Sequence, residues 1–212
     1  MRRRVFFFAL TAVVIMGLAW CAYKYVSFGS IFVARAEMDK DWEVVLVNSR
    51  HYVGRDYKPE LTELSNGEKV DSRIYPHLQA MFDAARAHGF HLIVRSGYRS
   101  YGEQEALWNE GGAGMDGDEN GVLSVQRPGL SEHQTGLAVD INRAGDTDEG
   151  ALYSWLQNNA ARFGFILRYP ADKTEITGVI YEPWHYRYVG VDAARAMKAD
   201  NLCLEEYVGE YE

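Results

Sequence analysis

Two short segments concentrate the side chains able to do chemistry. In SEHQTGLAVD, residues 131–140, His133 and Asp140 stand seven apart, and Gly136 between them permits a tight turn so that a loop and a strand can converge on one point. In EPWHYRY, residues 182–188, Glu182 precedes His185 by three. Two imidazoles and one carboxylate supply three nitrogen and oxygen ligands, the donor set of a catalytic zinc site that keeps its fourth position for water. Zinc would bring the pKa of that water towards neutrality, and Glu182 would take its proton and pass it to a leaving amine. Spacing alone does not separate this arrangement from ordinary surface or hydrogen-bonded core histidines. The other four, His51, His77, His88 and His91, lack carboxylates at ligand spacing and are read as ordinary residues. With only two cysteines, Cys21 and Cys203, a thiolate zinc site is excluded and no disulfide is expected.

Such residues need elements to hold them. From Asp71 onward, Ile74, Leu78, Phe82 and Ala85 recur at helical spacing and Gly89 follows as a left-handed stop, which predicts a helix. FHLIVRS at 90–96 predicts a strand, and Ser100 with Glu103 forms a candidate capping box that opens a short helix through Leu107 and Trp108. Gly97 to Arg99 is thereby held between two rigid elements. LAVDI at 137–141 predicts the strand carrying Asp140. A helix is expected over 148–163, ended by Gly164 and started near Asp146 and Asp148. FGFILRY (163–169) and VIYEPWHYRYV (179–189) predict further strands, with Tyr181, Tyr186 and Tyr188 on one core-packed face, and VDAARAMKA (191–199) a last helix. Helices and strands mix without regular βαβ alternation, so the expected class is α+β, a central antiparallel sheet flanked by helices. Residues 110–121 are glycine-rich and acidic and read as a surface loop. Asp116, Asp118, Asn120 and Gly121 imitate a calcium-binding loop, but its twelfth position is Arg127 rather than Glu, and calcium is not expected.

At 212 residues the chain suits one domain plus an appendage. Its net charge is −8, yet Arg2, Arg3, Arg4 and Lys24 precede every acidic residue, leaving 18 basic against 30 acidic side chains beyond Lys24. An acidic surface repels phosphate backbones, so no nucleic-acid partner is expected, and a small or peptidic substrate is. Val5 to Ala22 is an uncharged run of 18 residues behind three arginines. It is long enough to cross a bilayer as a helix, with the N-terminus cytoplasmic and the remainder outside. The nearest small-x-small cleavage site, Ala34 to Ala36, lies well beyond the run, and Trp20 beside Cys21 argues against a lipoprotein, so an uncleaved anchor is expected. The organisation that follows is a basic tip and membrane helix over 1–22, a stalk over 23–42 and an extracytoplasmic domain over 43–212. Nothing in the sequence sets the oligomeric state.

SEHQTGLAVDI, EPWHYRYVG and SGYRSYGEQ (96–104) together resemble the zinc D,D- and L,D-carboxypeptidases related to VanY, within the wider group that includes D-alanyl-D-alanine dipeptidases and the hedgehog signalling domain. The first matches that family's S-x-H-x-x-G-x-A-x-D core, the second its E-x-W-H signature and the third its substrate-side loop, in the family's order. The resemblance implies that His133, Asp140 and His185 bind one zinc ion, that Glu182 is the catalytic base and that Arg99 polarises the scissile carbonyl. It also implies that Gln104 and Ser131 contact the terminal carboxylate of the substrate; Trp184 is read as packing that fixes the ligand beside it. The implied activity is removal of the C-terminal D-alanine from peptidoglycan precursor stems ending in D-Ala-D-Ala, with a part in glycopeptide resistance. An L,D-carboxypeptidase trimming tetrapeptide stems and a non-catalytic zinc-containing wall-binding module are the alternatives.

Overall fold

The computed structural model describes residues 34–35, 41–110, 125–143 and 149–210. The apolar run expected to span a membrane lies outside the described residues, as do most of the stalk, residues 111–121 of the acidic loop, and Asp146 and Asp148. Among the described residues no helix is long and apolar enough to cross a membrane. Trp42, expected at the end of the stalk, stacks on Tyr188 with ring centroids 5.8 Å apart and carries the Arg73 guanidinium over its ring, so it already belongs to the folded unit.

Two short strands, β1 (Ala34–Arg35) and β2 (His51–Tyr52), pair in parallel, and β3 (Leu61–Glu63) forms a hairpin with β4 (Lys69–Asp71). Helix α1 then runs from Tyr75 to Ala87 and buries Leu78, Met81 and Ala85 on one face. It starts later than the periodicity suggested because Asp71 closes β4, and its carboxylate takes the Arg73 backbone N–H and guanidinium instead of capping a helix. Gly89, at φ 82°, stops the chain's helical turn as expected.

The main sheet has the order β5 (Leu92–Ser96), β6 (Ala138–Arg143), β8 (His185–Tyr188), β7 (Phe165–Leu167), antiparallel throughout. This is the α+β architecture expected. Between β5 and β6 stands α2 (Tyr101–Glu110), opened by the capping box: Ser100 N–H and Oγ–H both donate to Glu103 Oε2, at 2.7 and 2.6 Å, while Glu103 N–H donates back to Ser100 Oγ. Helix α3 (Glu149–Asn159) continues as a 3-10 turn to Phe163 and ends at Gly164. A one-turn helix α4 (Thr174–Thr177), α5 (Val191–Asp200) and α6 (Leu204–Val208) complete the unit; α4 and α6 were not anticipated.

Strand alternation divides the sheet. Val139, Ile141, Tyr186 and Tyr188 enter the main core with Leu78, Met81, Leu152 and Leu156, while Asp140, His185 and Arg187 face the other way. The strand expected over 179–189 is shorter: Glu182 to His185 forms a turn, with His185 N–H bonded to the Glu182 carbonyl at 3.1 Å. Tyr181 therefore stands off the strand and is exposed, in contrast to the buried Tyr186 and Tyr188. A proline at 183 cannot donate to a ladder, which accounts for the interruption.

Candidate metal centre

Asp140 on β6 lies directly opposite His185 on β8 in the antiparallel register. Side chains at such positions share a face with Cβ atoms about 5 Å apart, so strand pairing alone brings the two together. His185 Nδ1 is 3.2 Å from Asp140 Oδ1. His133 arrives from a different kind of element, the 3-10 turn Glu132–Thr135, which Gly136 closes at φ 72°. That turn is seated tightly: the Gly136 carbonyl accepts the Asp71 N–H, and a Cβ added at Gly136 would stand 2.8 Å from the Asp71 nitrogen. His133 Nε2 then lies 3.5 Å from Asp140 Oδ2, and its Nδ1 lies 2.8 Å from the Gly97 carbonyl. A carbonyl only accepts, so Nδ1 carries the proton and Nε2 is left with the lone pair. Ligand atoms of His133, Asp140 and His185 all lie within 4.8 Å of one another, the one such grouping among the described residues. His51, His77, His88 and His91 take no part in it.

The electrostatics fit a cation. Burial works against ionisation of Asp140, but the His133 and His185 rings outweigh it and hold the carboxyl well below its ordinary range. Burial likewise disfavours charge on His185, yet the Asp140, Glu132 and Glu182 carboxylates beside its ring prevail and lift its pKa well above 6.5. Carboxylates thus draw positive charge to the point where the three ligands meet. Asp140 Oδ1 is buried without a hydrogen-bond partner, as befits an atom whose partner is a metal.

Around this point is a cleft of about 170 Å³ lined by all seven residues singled out in the sequence: Arg99, Gln104, Ser131, His133, Asp140, Glu182 and His185. Glu182 Oε2 is 3.4 Å from His185 Nδ1. Arg99 is fixed by two hydrogen bonds, Nη1 to Gln104 Oε1 at 2.7 Å and Nη2 to Ser96 Oγ at 2.8 Å. A register shift in the β5–β6 ladder between Val94 and Ser96 places Ser96 opposite Asp140, which sets that second anchor beside the ligands. Gln104 also donates to the Gln126 carbonyl, so its amide is engaged on both sides and braces Arg99. Trp184 is half-buried and lines the cleft beside His185. A larger cavity of about 370 Å³ beside α3 and α5 contains no histidine and a single carboxylate, Asp172, and offers no comparable chemistry.

Sequence reasoning missed a layer behind the ligands. Tyr169 is buried with its ring 4.9 Å from that of His185. Glu132, Arg168, Arg187 and Glu205 form a fully buried charged cluster. One signal was available: Arg187 stands two residues after His185 on the same strand and therefore on the same face.

The model of the family described as VanY, D-alanyl-D-alanine carboxypeptidase, matches residues 67–191. A D-alanyl-D-alanine carboxypeptidase of Enterococcus faecalis (strain ATCC 700802 / V583) is 49% identical over 179 residues, 80% of this chain and 67% of that one. Two solved structures superpose with TM-scores of 0.73. One is VanYB in complex with D-alanine-D-alanine, 48% identical, covering 81% of this chain and 99% of that one. The other is a vancomycin-resistance D,D-pentapeptidase VanY from a VanB-type resistance cassette, a glutamate-to-alanine mutant in complex with Zn(II), 49% identical and covering 79% and 99%.

Proposed function

Because the chain belongs to the VanY family of D-alanyl-D-alanine carboxypeptidases, we propose that its His133, Asp140 and His185 hold the zinc ion and that Glu182 and Arg99 act on the substrate. The protein is a zinc-dependent D,D-carboxypeptidase that removes the C-terminal D-alanine from peptide stems ending in D-Ala-D-Ala. The observation that carries the assignment of residues is the convergence of the three ligand atoms within 4.8 Å, with Glu182 and Arg99 lining the same cleft.

A zinc ion held by His133, Asp140 and His185 would supply a Lewis acid able to bring the pKa of a water towards neutrality. Glu182, beside His185 Nδ1, takes the proton of that water and delivers it to the nitrogen of the departing D-alanine. Arg99, held by Ser96 and Gln104, polarises the scissile carbonyl and stabilises the negative charge that develops on its oxygen. Its burial disfavours the charge, but Asp140 and Glu103 favour it, and a guanidinium stays protonated in such a setting. Gln104 and Ser131 meet the terminal carboxylate, and Tyr169, Val179 and Trp184 close the cleft around the reacting bond. The decisive experiment is mass spectrometry of products after incubating the purified protein, or its Glu182→Ala variant, with penta- and tetrapeptide stems. Loss of one alanine from the pentapeptide, abolished in the variant, is expected; trimming of the tetrapeptide alone would turn the specificity to L,D.

The site of action is outside the cytoplasmic membrane, with residues 5–22 as a single-pass anchor and the N-terminus inside. The support is the uncharged run behind three arginines, and it sets the enzyme beside lipid-linked wall precursors. Protease added to intact protoplasts should then degrade the domain; full protection would place it inside. The resistance-cassette origin of one relative supports a contribution to glycopeptide resistance, testable as a change in vancomycin susceptibility on deletion of the gene.

A further inference from the structure

The structure assigns a task to Glu132, the residue between Ser131 and His133: we infer that its Oε2 accepts the Nε2–H of His185 and so leaves the lone pair of that ring on Nδ1, facing the metal. The inference rests on His185 being a zinc ligand, as proposed above. Glu132 is a positioning residue and does not reach the substrate.

Its two oxygens do different things. Oε1 accepts Arg168 Nε at 2.8 Å and Arg187 Nη1 at 2.9 Å. Oε2 is buried and has no hydrogen-bond partner, and neither has His185 Nε2. These two atoms face each other at 3.6 Å, a few tenths of an ångström beyond hydrogen-bond contact, and nothing else competes for either. A carboxylate held between two guanidiniums can only accept, so the ring nitrogen opposite it must donate. The proton therefore sits on Nε2, and Nδ1, at 3.2 Å from Asp140 Oδ1 and 3.4 Å from Glu182 Oε2, is the free donor atom. Outer carboxylates commonly fix metal-ligating histidines in this way. Here the carboxylate is itself fixed by arginines that reach further: Arg168 makes a bidentate pair with Glu205, and Arg187 donates to the Glu43 and Val45 carbonyls.

The alternative is that Glu132 merely neutralises Arg168 and Arg187. Glu132→Gln separates the two. Both guanidiniums demand an acceptor at the Oε1 position, so the amide oxygen must stay there and the amide NH2 must face His185 Nε2. That group donates where the carboxylate accepted, and it favours the tautomer whose Nδ1 is protonated and cannot ligate. The full chain, with 15N-labelled histidine and loaded with zinc, should show a His185 Nε2–H resonance in long-range 1H–15N correlation spectra. Glu132→Gln should lose that resonance and bind zinc about 10–100-fold more weakly in competition with a chromophoric chelator. A Glu132→Gln protein with unchanged zinc affinity and only a lowered unfolding midpoint would overturn the inference in favour of charge neutralisation. Should that variant not fold, the parent spectrum decides by itself: zinc bound but no Nε2–H on His185 overturns the inference alone, whereas a parent that takes up no zinc removes the metal assignment beneath it.

Discussion

Glu182 and Arg99 occupy the same cleft but depend on different supports, and their variants should fail differently. Glu182→Ala removes the proton carrier and leaves His133, Asp140 and His185 in place. Zinc content measured by atomic absorption should hold at one ion per chain while turnover drops by roughly 10²–10⁴-fold. Arg99→Ala removes a cation aimed at charge that develops only during reaction, so kcat should fall by about 10²–10³-fold with KM little changed. A raised KM at unchanged kcat would make Arg99 a plain binding residue. At this scale the sequence was informative because the ligands and the base lie inside contiguous motifs: His133 and Asp140 share one, Glu182 and His185 the other. What it could not convey is which atom of each side chain is used. The tautomer of His133 depends on the Gly97 carbonyl, 36 residues away in sequence, and the bond from Arg99 to the Gln104 amide oxygen adds a bracing contact to the substrate contact read for that residue.

Three elements converge on the metal point, and the weakest of them is the 3-10 turn, which holds His133 through four residues and one left-handed glycine. Gly136→Ala forces a side chain into φ 72° and against the Asp71 backbone, a strain of about 1–3 kcal/mol. The expected result is a lowered unfolding midpoint together with weaker zinc binding, since the turn carries a ligand; intact affinity at reduced stability would show that His133 is held by the Gly97 carbonyl and not by the turn. Periodicity located most elements, but it misjudged two boundaries for identifiable reasons. Helix α1 begins after Asp71 because that carboxylate is committed to Arg73, and β8 begins at His185 because Pro183 breaks the ladder. Helix α6 went unseen, being five residues long and having as its main anchor Glu205, whose partner Arg168 lies on a distant strand end.

On the scale of the molecule, metal and fold are linked. Zinc binds the folded arrangement of ligands, so chelation should abolish activity and lower the melting temperature, and added zinc should restore both; full turnover of thoroughly metal-depleted protein would contradict the assignment. Acid should unfold the protein for a separate reason. Burial opposes ionisation of Glu205, but Arg168 outweighs it and holds the folded-state pKa below the ordinary 4.5. The unfolded chain therefore binds the proton more readily, so this contribution is complete above about pH 4.5 and drains away as pH falls further. Urea midpoints of the metal-free protein should fall steeply as pH drops below about 4.5, and a midpoint independent of pH from 5 down to 3 would rule the pair out as a stabilising feature. The Glu205–Arg168–Glu132 chain of contacts also imposes an order on biogenesis. A nascent polypeptide that has not yet released residue 205 from the ribosome has two arginines sharing a single carboxylate behind His185. The charged support behind His185 is therefore completed only once helix α6, the carrier of Glu205, has left the ribosome after all three ligands.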